Sequence, residues 1–318
     1  MKPPPFAYHA PRDLREALDL LAEVDGKVLA GGQSLIPLLN MRLAAPAHVV
    51  DVNRLPGLAT IEAGPGGVTV GALARQAEVA RSGVHPLLGQ ALRLVAHPVI
   101  RNRGTVVGSL VHADPAAELP AVLAVLGGSV RLARRAPNGS DSGVSDGMGG
   151  PGGTWGIGGA EAAVREVRAD AFFTGPLESA VEAGELVVSA FFPALPPRSG
   201  SAFAEVARRH GDYALAGVCA VVTLDEDLHV AAARVACVGV GPVPVVADVT
   251  EECGRRPAAT VPWEAVTAAV RRAVEPEDDI HASAAYRLHL VGVLAERVLR
   301  EAAAHATAHH EGPSRDER

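Results

Sequence analysis

The sequence predicts an α+β protein in which an N-terminal α/β region of two lobes precedes a domain with an antiparallel sheet and helices. A strand–loop–helix–strand order occupies residues 1–55, and a β-hairpin pattern opens a second unit near residue 59. Three consecutive β-rich runs, joined by short polar turns, lie between residues 203 and 240. Such runs are typical of an antiparallel sheet, because parallel strands need long crossover connections.

Size and composition restrict the function classes. The 318 residues, 48% of them apolar, suggest more than one domain, and the net charge of −7 without a dense basic run gives no support for nucleic-acid binding. The N-terminus lacks the apolar core of a signal peptide, and the longest nearly apolar stretch, residues 213–224, is too short to span a bilayer. We therefore expect a cytoplasmic protein with no membrane span.

Cysteine spacing indicates no metal or disulfide framework. Cys219, Cys237 and Cys253 are widely separated, odd in number and form no Cys-x-x-Cys pair. Iron–sulfur and zinc sites need closely spaced cysteine ligands, so we expect no metal site in this chain. Any redox chemistry here would be carried by an organic cofactor.

The first lobe is predicted at residues 1–55. Asp13 and Glu16 form a capping-box pattern before a helix with apolar residues at helical spacing. Residues 27–30 read as a strand that runs into a glycine loop, and Ser34 is a plausible N-cap for a helix over 35–43. Residues 49–52 follow as a second strand.

The second lobe is predicted at residues 56–198. Its hairpin pairs residues 59–63 with 68–70 across a Gly-Pro-Gly-Gly turn. Residues 137–159 are dominated by Gly, Ser, Pro and Asp, a composition that we interpret as a mobile surface loop. The remaining predicted elements are helices over 73–81, 87–96 and 116–126 and strands over 129–133 and 186–192.

The C-terminal α+β domain is predicted at residues 199–306. A disordered polar tail, residues 307–318, is expected to follow it. The predicted elements are strands over 203–209, 214–224 and 230–240 and helices over 262–274 and 284–304.

Two glycine-bearing loops carry the main functional signal. Leu29-Ala30-Gly31-Gly32-Gln33-Ser34-Leu35 and Thr105-Val106-Val107-Gly108-Ser109-Leu110 each combine small residues with a hydroxyl just before a helical segment. Backbone N–H groups can approach an anion closely where side chains are absent or tiny, and a helix start adds further free donors. Two such loops in one domain suit a ligand with a pyrophosphate, such as a dinucleotide.

A Rossmann-type nucleotide site is not encoded. The nearest match, Gly239-Val240-Gly241-Pro242-Val243-Pro244, lacks the third glycine, and its prolines forbid the helix that the motif requires. We therefore expect any phosphates to bind at the two N-terminal loops.

Three motifs resemble one known family. Residues 30–40 resemble the first flavin loop of the FAD-binding medium subunits of molybdenum hydroxylases, which include carbon monoxide, xanthine, aldehyde and N-heterocycle dehydrogenases. Residues 97–120 are similar to the second loop of that family, and residues 211–217 to the motif that opens its C-terminal domain. The likeness extends from about residue 4 to 304. It implies a PCMH-type FAD-binding domain followed by a domain like the C-terminal part of the CO dehydrogenase flavoprotein.

The resemblance also implies a set of FAD-binding residues. The first loop would donate hydrogen bonds to the pyrophosphate, and the second would hold it from the other side. Two acidic residues would stay ionised near ribityl and ribose hydroxyls, two apolar residues would pack near the flavin, and a tyrosine would stack on the isoalloxazine. The residues are Ala30, Gly31, Gly32, Gln33, Ser34, Leu35, Thr105, Gly108, Ser109, Asp114, Glu118, Leu186, Val187 and Tyr213.

One residue departs from the family pattern. Val107 stands where members of the family usually have the first glycine of a pair. Because a β-branched residue is strained at positive φ, we expect either an ordinary backbone conformation at Val107 or a slightly displaced loop.

The function implied by the resemblance is that of an electron-transfer flavoprotein subunit with no catalytic acid–base residues of its own. Its partners would be a small subunit with two [2Fe–2S] clusters and a large molybdopterin subunit, assembled as a dimer of heterotrimers. Electrons would pass to NAD, a quinone, oxygen or another acceptor. Two alternatives remain: a self-sufficient FAD oxidoreductase acting on a small organic substrate, and an assembly module that has lost its flavin.

Overall fold

The first lobe is a small three-stranded parallel sheet with two helices. The computed structural model describes residues 1–136 and 162–311 of the chain. The strand order is β1-β3-β2, with both neighbouring pairs parallel. Its elements are β1 (Ala7–His9), α1 (Leu14–Glu23), β2 (Gly26–Leu29), α2 (Leu35–Met41) and β3 (His48–Asp51).

Helix α1 begins and packs as its sequence predicts. The Asp13 carboxylate accepts a hydrogen bond from the Glu16 N–H at 2.9 Å, which satisfies one of the free donors of the first turn. Its apolar residues recur on one face and are buried against the core: Leu14, Ala17, Leu18 and Leu21.

The second lobe is built on a five-stranded antiparallel sheet of order β4-β5-β10-β6-β7. Its strands, together with a separate two-stranded ribbon of β8 and β9, are β4 (Ile61–Gly64), β5 (Gly67–Gly71), β6 (Ser129–Arg135), β7 (Ala162–Arg168), β8 (Phe173–Gly175), β9 (Glu178–Ser179) and β10 (Glu185–Pro193). Its helices are α3 (Gln76–Ser82), α4 (Pro86–Leu94), α5 (Pro98–Arg101), α6 (Val106–His112), α7 (Glu118–Leu126) and α8 (Ala169–Phe172).

This sheet contains one predicted hairpin and one strand that the sequence pattern did not predict. The hairpin is confirmed, since β4 and β5 pair antiparallel with Ile61 opposite Val70. Strand β7 lies at the sheet edge with alternately exposed side chains, and its Glu166 stands opposite Arg131 of β6. A half-exposed edge strand with charged residues has little apolar periodicity to identify it.

The C-terminal domain has a four-stranded antiparallel sheet of order β11-β12-β13-β14. The expected antiparallel arrangement is therefore confirmed, with β14 as an additional edge strand. The elements are β11 (Ser199–Ala207), β12 (Ala214–Leu224), β13 (Val230–Val238), β14 (Val245–Asp248), α9 (Thr250–Cys253), a short 3₁₀ turn (Ala258–Thr260), α10 (Trp263–Ala273) and α11 (Ala284–Glu311).

Strand β12 lies between the two hydrophobic cores of the molecule. Cys219 belongs to the core of the second lobe, whereas Val218 and Ala220 belong to the core beneath α10 and α11. Because side chains alternate across a strand, β12 buries both of its faces, which explains its almost uninterrupted apolar sequence. The contact with α7 joins this sheet to the second lobe.

The last helix is longer than expected. It runs to Glu311, beyond the predicted end at 304 and into the segment 307–318 that the sequence assigned to a disordered tail. The helix continues because Ala302, Ala303 and Ala306 remain buried against the sheet. Residues 312–318 and the glycine-rich segment 137–159 lie outside the described residues. Within the described ranges, no helix is long and apolar enough to cross a membrane.

Candidate functional site

The first glycine loop presents a run of unpaired backbone donors. Residues 30–34 connect β2 to α2, and the N–H groups of residues 31–35 donate to no residue that the structure describes. Gly32 has a φ of +74°, which favours glycine and turns successive N–H groups toward one side. Such a concave array of donors is suited to an anion.

Ser34 does not cap α2, which corrects the expectation from sequence. Its backbone is helical and its side chain accepts no capping hydrogen bond. The physical reason lies in the first turn, where Ile36 N–H already donates to Gly32 at 3.0 Å and Pro37 has no N–H. No N–H is left for the hydroxyl to cap, so the Ser34 hydroxyl is not used by the helix.

Gly31 brings the two loops into direct contact. A Cβ at this position would lie 2.5 Å from the Arg103 carbonyl oxygen and 2.8 Å from the Gly104 Cα. Real Cβ atoms do not approach backbone this closely, so only glycine allows the first loop to pack on the segment that leads into the second.

The second loop uses most of its donors internally. Thr105 is the N-cap of α6, and its hydroxyl oxygen accepts from Gly108 N–H at 3.0 Å. The Ser109 N–H donates to the Thr105 carbonyl at 3.2 Å, and the Val106 N–H donates to the Ala74 carbonyl at 3.3 Å. Contrary to the expectation from sequence, the Gly108 N–H is therefore not a free donor. Within residues 105–109, the N–H groups of Thr105 and Val107 have no described partner.

Val107 adopts an ordinary backbone conformation, which is the first of the two outcomes expected from the sequence. It lies in the first turn of α6, is buried, and is absent from the described non-glycine residues with positive φ. The missing glycine thus causes no backbone strain, since helical φ values suit a valine.

Acidic residues gather where α7 begins. The Asp114 carboxylate accepts from the Ala116 N–H at 2.9 Å. Burial, together with the nearby Glu205 carboxylate, raises the pKa of Glu118 to about 8. A carboxyl with this pKa holds its proton more readily than the ionised carboxylate that the resemblance implies, and in its protonated form it can donate a hydrogen bond.

Glu205 lies close enough to Glu118 to influence its pKa, and the sequence did not identify it as a candidate. It lies on β11, and its Oε2 is buried without a hydrogen-bond partner among the described residues. Burial raises the pKa of Glu205 to about 7. A β-strand glutamate in an apolar run gives a weak sequence signal, because only the packing of the two domains places it near Glu118.

Tyr213 lies just before β12 with an exposed ring. It is 70% exposed, and partial burial of its hydroxyl, followed by the charges of Asp114 and Glu118, raises its pKa. The turn before it is held by His97, because a Cβ at Gly211 would lie 2.7 Å from the imidazole Cε1. The ring is therefore available for stacking, next to the acidic residues of the second lobe.

Leu186 and Val187 lie within the sheet rather than on an open surface. Both belong to β10, and each is 4% exposed within the core of the second lobe. Helix α6 contacts this strand.

Two polar side chains that sequence reasoning missed connect the loops. The Asn53 Nδ2 donates to the Ala30 carbonyl at 2.8 Å, and Arg75 donates to the Asn53 Oδ1 at 2.7 Å and to the Arg103 carbonyl at 2.7 Å. Asn53 follows β3 in an Asp-Val-Asn sequence, and polar residues at the end of a strand are only a weak signal for such a contact. Nothing in the sequence around Arg75 predicts its partners.

The described ranges contain no cluster of three or more His, Cys, Asp or Glu side chains arranged to hold a metal ion. The three cysteines are free and buried. The candidate site consists of two main-chain loops, the acidic residues at α7 and the exposed ring of Tyr213.

Comparison with known proteins identifies the family to which this chain belongs. Residues 4–140 match the FAD binding domain in molybdopterin dehydrogenase, and residues 201–302 match the CO dehydrogenase flavoprotein C-terminal domain. The 6-hydroxypseudooxynicotine dehydrogenase complex subunit alpha of Paenarthrobacter nicotinovorans is 37% identical over 311 residues, which cover 95% of this chain and 96% of that protein. The carbon monoxide dehydrogenase medium chain of Hydrogenophaga pseudoflava is 33% identical, with 95% and 98% covered.

A solved structure gives the same result. Quinoline 2-oxidoreductase from Pseudomonas putida 86 superposes with a TM-score of 0.81 at 32% identity, covering 97% of this chain and all of that one (100%). The chain is thus an oxidoreductase subunit with FAD as its cofactor. It belongs to the FAD-binding medium subunits of molybdenum hydroxylase complexes.

Proposed function

We propose that this chain is the electron-transfer subunit of its complex, which takes electrons from the [2Fe–2S] clusters of a small subunit and passes them to an external acceptor such as NAD, a quinone or oxygen. The substrate would be oxidised in a large molybdopterin subunit, and the assembly would be a dimer of heterotrimers. Two relatives, named as a subunit of a dehydrogenase complex and as a medium chain of carbon monoxide dehydrogenase, support this division of work.

The observation that carries the proposal is the run of free N–H groups at residues 31–35, packed against the second loop. These groups suit two linked phosphates, because backbone donors need no side-chain ordering and carry partial positive charge at a helix start. We assign them, with the Ser34 hydroxyl, to the FAD pyrophosphate. Thr105 and Ser109 would hold it from the opposite side, with Gly108 giving the Thr105 hydroxyl room.

The remaining residues would surround the rest of the cofactor. Asp114 would accept hydrogen bonds from ribityl or ribose hydroxyls, whereas Glu118, when protonated, would donate one. The exposed Tyr213 ring would stack on one face of the isoalloxazine and exclude water from it. When bound, the flavin supplies one- and two-electron redox chemistry, and these residues only hold and shield it. Three free, buried cysteines suit a reducing compartment such as the cytoplasm.

The test is to produce the chain with and without its two partner subunits and follow its yellow flavin absorption under anaerobic conditions. We expect substrate to bleach the flavin only in the three-subunit complex, while a chemical reductant bleaches it in the isolated chain as well. Substrate-dependent bleaching in the isolated chain would favour a self-sufficient oxidoreductase. A folded chain that retains no flavin after reconstitution would favour the assembly module.

A further inference from the structure

We propose that Arg75 and Asn53 form an interlobe clasp that sets the spacing of the two phosphate-binding loops and so makes the site selective for a dinucleotide over a mononucleotide. Arg75 and Asn53 are positioning residues in this proposal, acting through the backbone of the loops. The inference rests on the proposed FAD site and adds to it the side chains that hold the site in shape.

The clasp reaches the first loop through Asn53. This residue follows β3 in the first lobe, and its amide donates to the Ala30 carbonyl at 2.8 Å, directly before the run of free N–H groups. The same amide donates to the Asp51 carboxylate at 2.6 Å, and the Tyr8 hydroxyl donates to the other oxygen of that carboxylate at 2.6 Å. Asn53 is therefore oriented from behind by two strands of the first lobe.

The clasp reaches the second loop through Arg75. One guanidinium nitrogen donates to the Asn53 Oδ1 and another to the Arg103 carbonyl, each at 2.7 Å. That carbonyl is the atom against which Gly31 packs. A planar guanidinium presents several donors in a fixed geometry, so one side chain can hold two acceptors at a constant separation.

The Arg75 backbone is held independently of its side chain. Arg75 forms a β-bridge with Thr105, and its neighbours Ala74 and Gln76 bond to Val106 and Gly104. Removing the guanidinium should therefore leave the second loop attached to its own lobe. What would be lost is the hydrogen-bonded link from Asn53 to the Arg103 carbonyl, while the backbone contact at Gly31 would remain.

The chemical consequence concerns the number of phosphates that the ligand carries. A pyrophosphate engages both loops and depends on their separation, whereas a single phosphate can engage one loop wherever the other lies. If the two loops are already held at the right distance, a ligand that contacts both of them does not lose affinity to loop ordering. A ligand that contacts only one loop gains nothing from that fixed distance. The clasp should thus favour FAD over FMN.

The experiment measures dissociation of FAD and of FMN from the full-length chain by the return of flavin fluorescence on dilution. We expect Arg75→Met to weaken FAD binding roughly tenfold to a hundredfold and FMN binding less than threefold, as for loss of charge-assisted hydrogen bonds. Arg75→Lys keeps the charge but loses the two-pronged geometry, so it should weaken FAD binding by a smaller factor. It also serves as the second variant if Arg75→Met fails to fold.

Arg165→Met is the matched control. This variant also removes a partly buried arginine, which pairs with Glu185 at 2.7 Å, but it touches neither loop. It should lower the melting temperature without changing the FAD-to-FMN ratio. Equal losses of FAD and FMN in Arg75→Met, or no loss of either, would overturn the clasp.

The outcome for Gly31→Ala separates this inference from the proposed function. If Gly31→Ala releases FAD while Arg75→Met does not, the flavin site stands and the clasp is wrong. If neither variant affects FAD, the flavin does not bind between these loops, and the proposed site fails together with the clasp.

Discussion

The first loop, residues 30–34, and the second loop, residues 105–109, differ in the use of their backbone donors. In the first, the N–H groups of residues 31–35 have no described partner. In the second, most of the N–H groups donate to the Thr105 hydroxyl or to nearby carbonyl oxygens, so the start of α6 is capped by residues of the same chain. Both segments contain glycine and serine, but Gly31, Gly32 and Ser34 precede α2, whereas Gly108 and Ser109 lie inside α6, where the helix uses their N–H groups. A glycine-rich sequence thus indicates that the backbone can approach a ligand closely. Whether the loop can bind an anion depends on whether its N–H groups already have hydrogen-bond partners.

The largest effect should come from filling the contact between the loops. Gly31→Ala would place a methyl group 2.5 Å from the Arg103 carbonyl oxygen, so the first loop must move away. We expect FAD affinity to fall at least about a hundredfold, or ~2.7 kcal/mol, by fluorescence titration. Gly64→Ala is the control, because a Cβ there meets nothing within 4 Å and the backbone is ordinary. An equal loss in both variants would show that the contact is not responsible.

Smaller effects are expected from two variants, Ser34→Ala and Thr105→Val, which together distinguish ligand binding from helix capping. Ser34→Ala should weaken FAD binding about tenfold, because its hydroxyl is free, and change the free energy of unfolding by less than about 0.5 kcal/mol. Thr105→Val should do the reverse, costing about 1 kcal/mol of stability through the lost N-cap and about threefold in FAD affinity. Chemical denaturation and flavin titration of both variants provide the measurements. A stability loss in Ser34→Ala with unchanged FAD binding would contradict the contrast.

The smallest expected effect concerns Glu205 on β11, near Glu118. Burial raises its pKa from 4.5 to about 7 in the folded chain, so the folded state holds a proton that the unfolded state releases. Its contribution to stability is thus full below about pH 4.5 and is lost as the pH rises through 7. Glu205→Gln should have nearly wild-type stability at pH 5 and a gain on the order of 1 kcal/mol at pH 8, after discounting for solvent screening.

The measurement is thermal or chemical unfolding across this pH range, with the same flavin content at every pH. Glu62→Gln, at an exposed position of β4, is the matched control and should show no pH-dependent gain. If the free energy of unfolding changes by the same amount between pH 5 and 8 in the wild-type chain and in Glu205→Gln, then Glu205 does not hold a proton in the folded chain.

Strongly patterned elements were predictable from the sequence. The bounds of β12 agree with the structure because both of its faces are buried and its ends are marked by polar turns. The hairpin of β4 and β5 was likewise identified by its glycine turn. Edge strands β7 and β14 were missed, since half-exposed side chains leave no apolar pattern.

The candidate site was predictable only in part. The loops were identified because glycine, serine and threonine have strong local preferences. The failure of Ser34 to cap α2 follows from Pro37 and the Gly32–Ile36 hydrogen bond, a detail of the first turn that residue preference does not specify. The raised pKa of Glu118 escaped prediction because it arises from burial in the folded chain and from Glu205, which lies in another domain.

The sequence alone was sufficient to predict the strongly patterned helices and strands, the two glycine loops and the resemblance to the flavoprotein family. All of these depend on local preference or on motifs a few residues long. Only the tertiary structure decided which N–H groups stay unpaired, which carboxyls keep their protons and how Asn53 and Arg75 join the lobes. These properties depend on atoms that are distant along the chain and meet through packing, where burial and hydrogen-bond geometry control the energy.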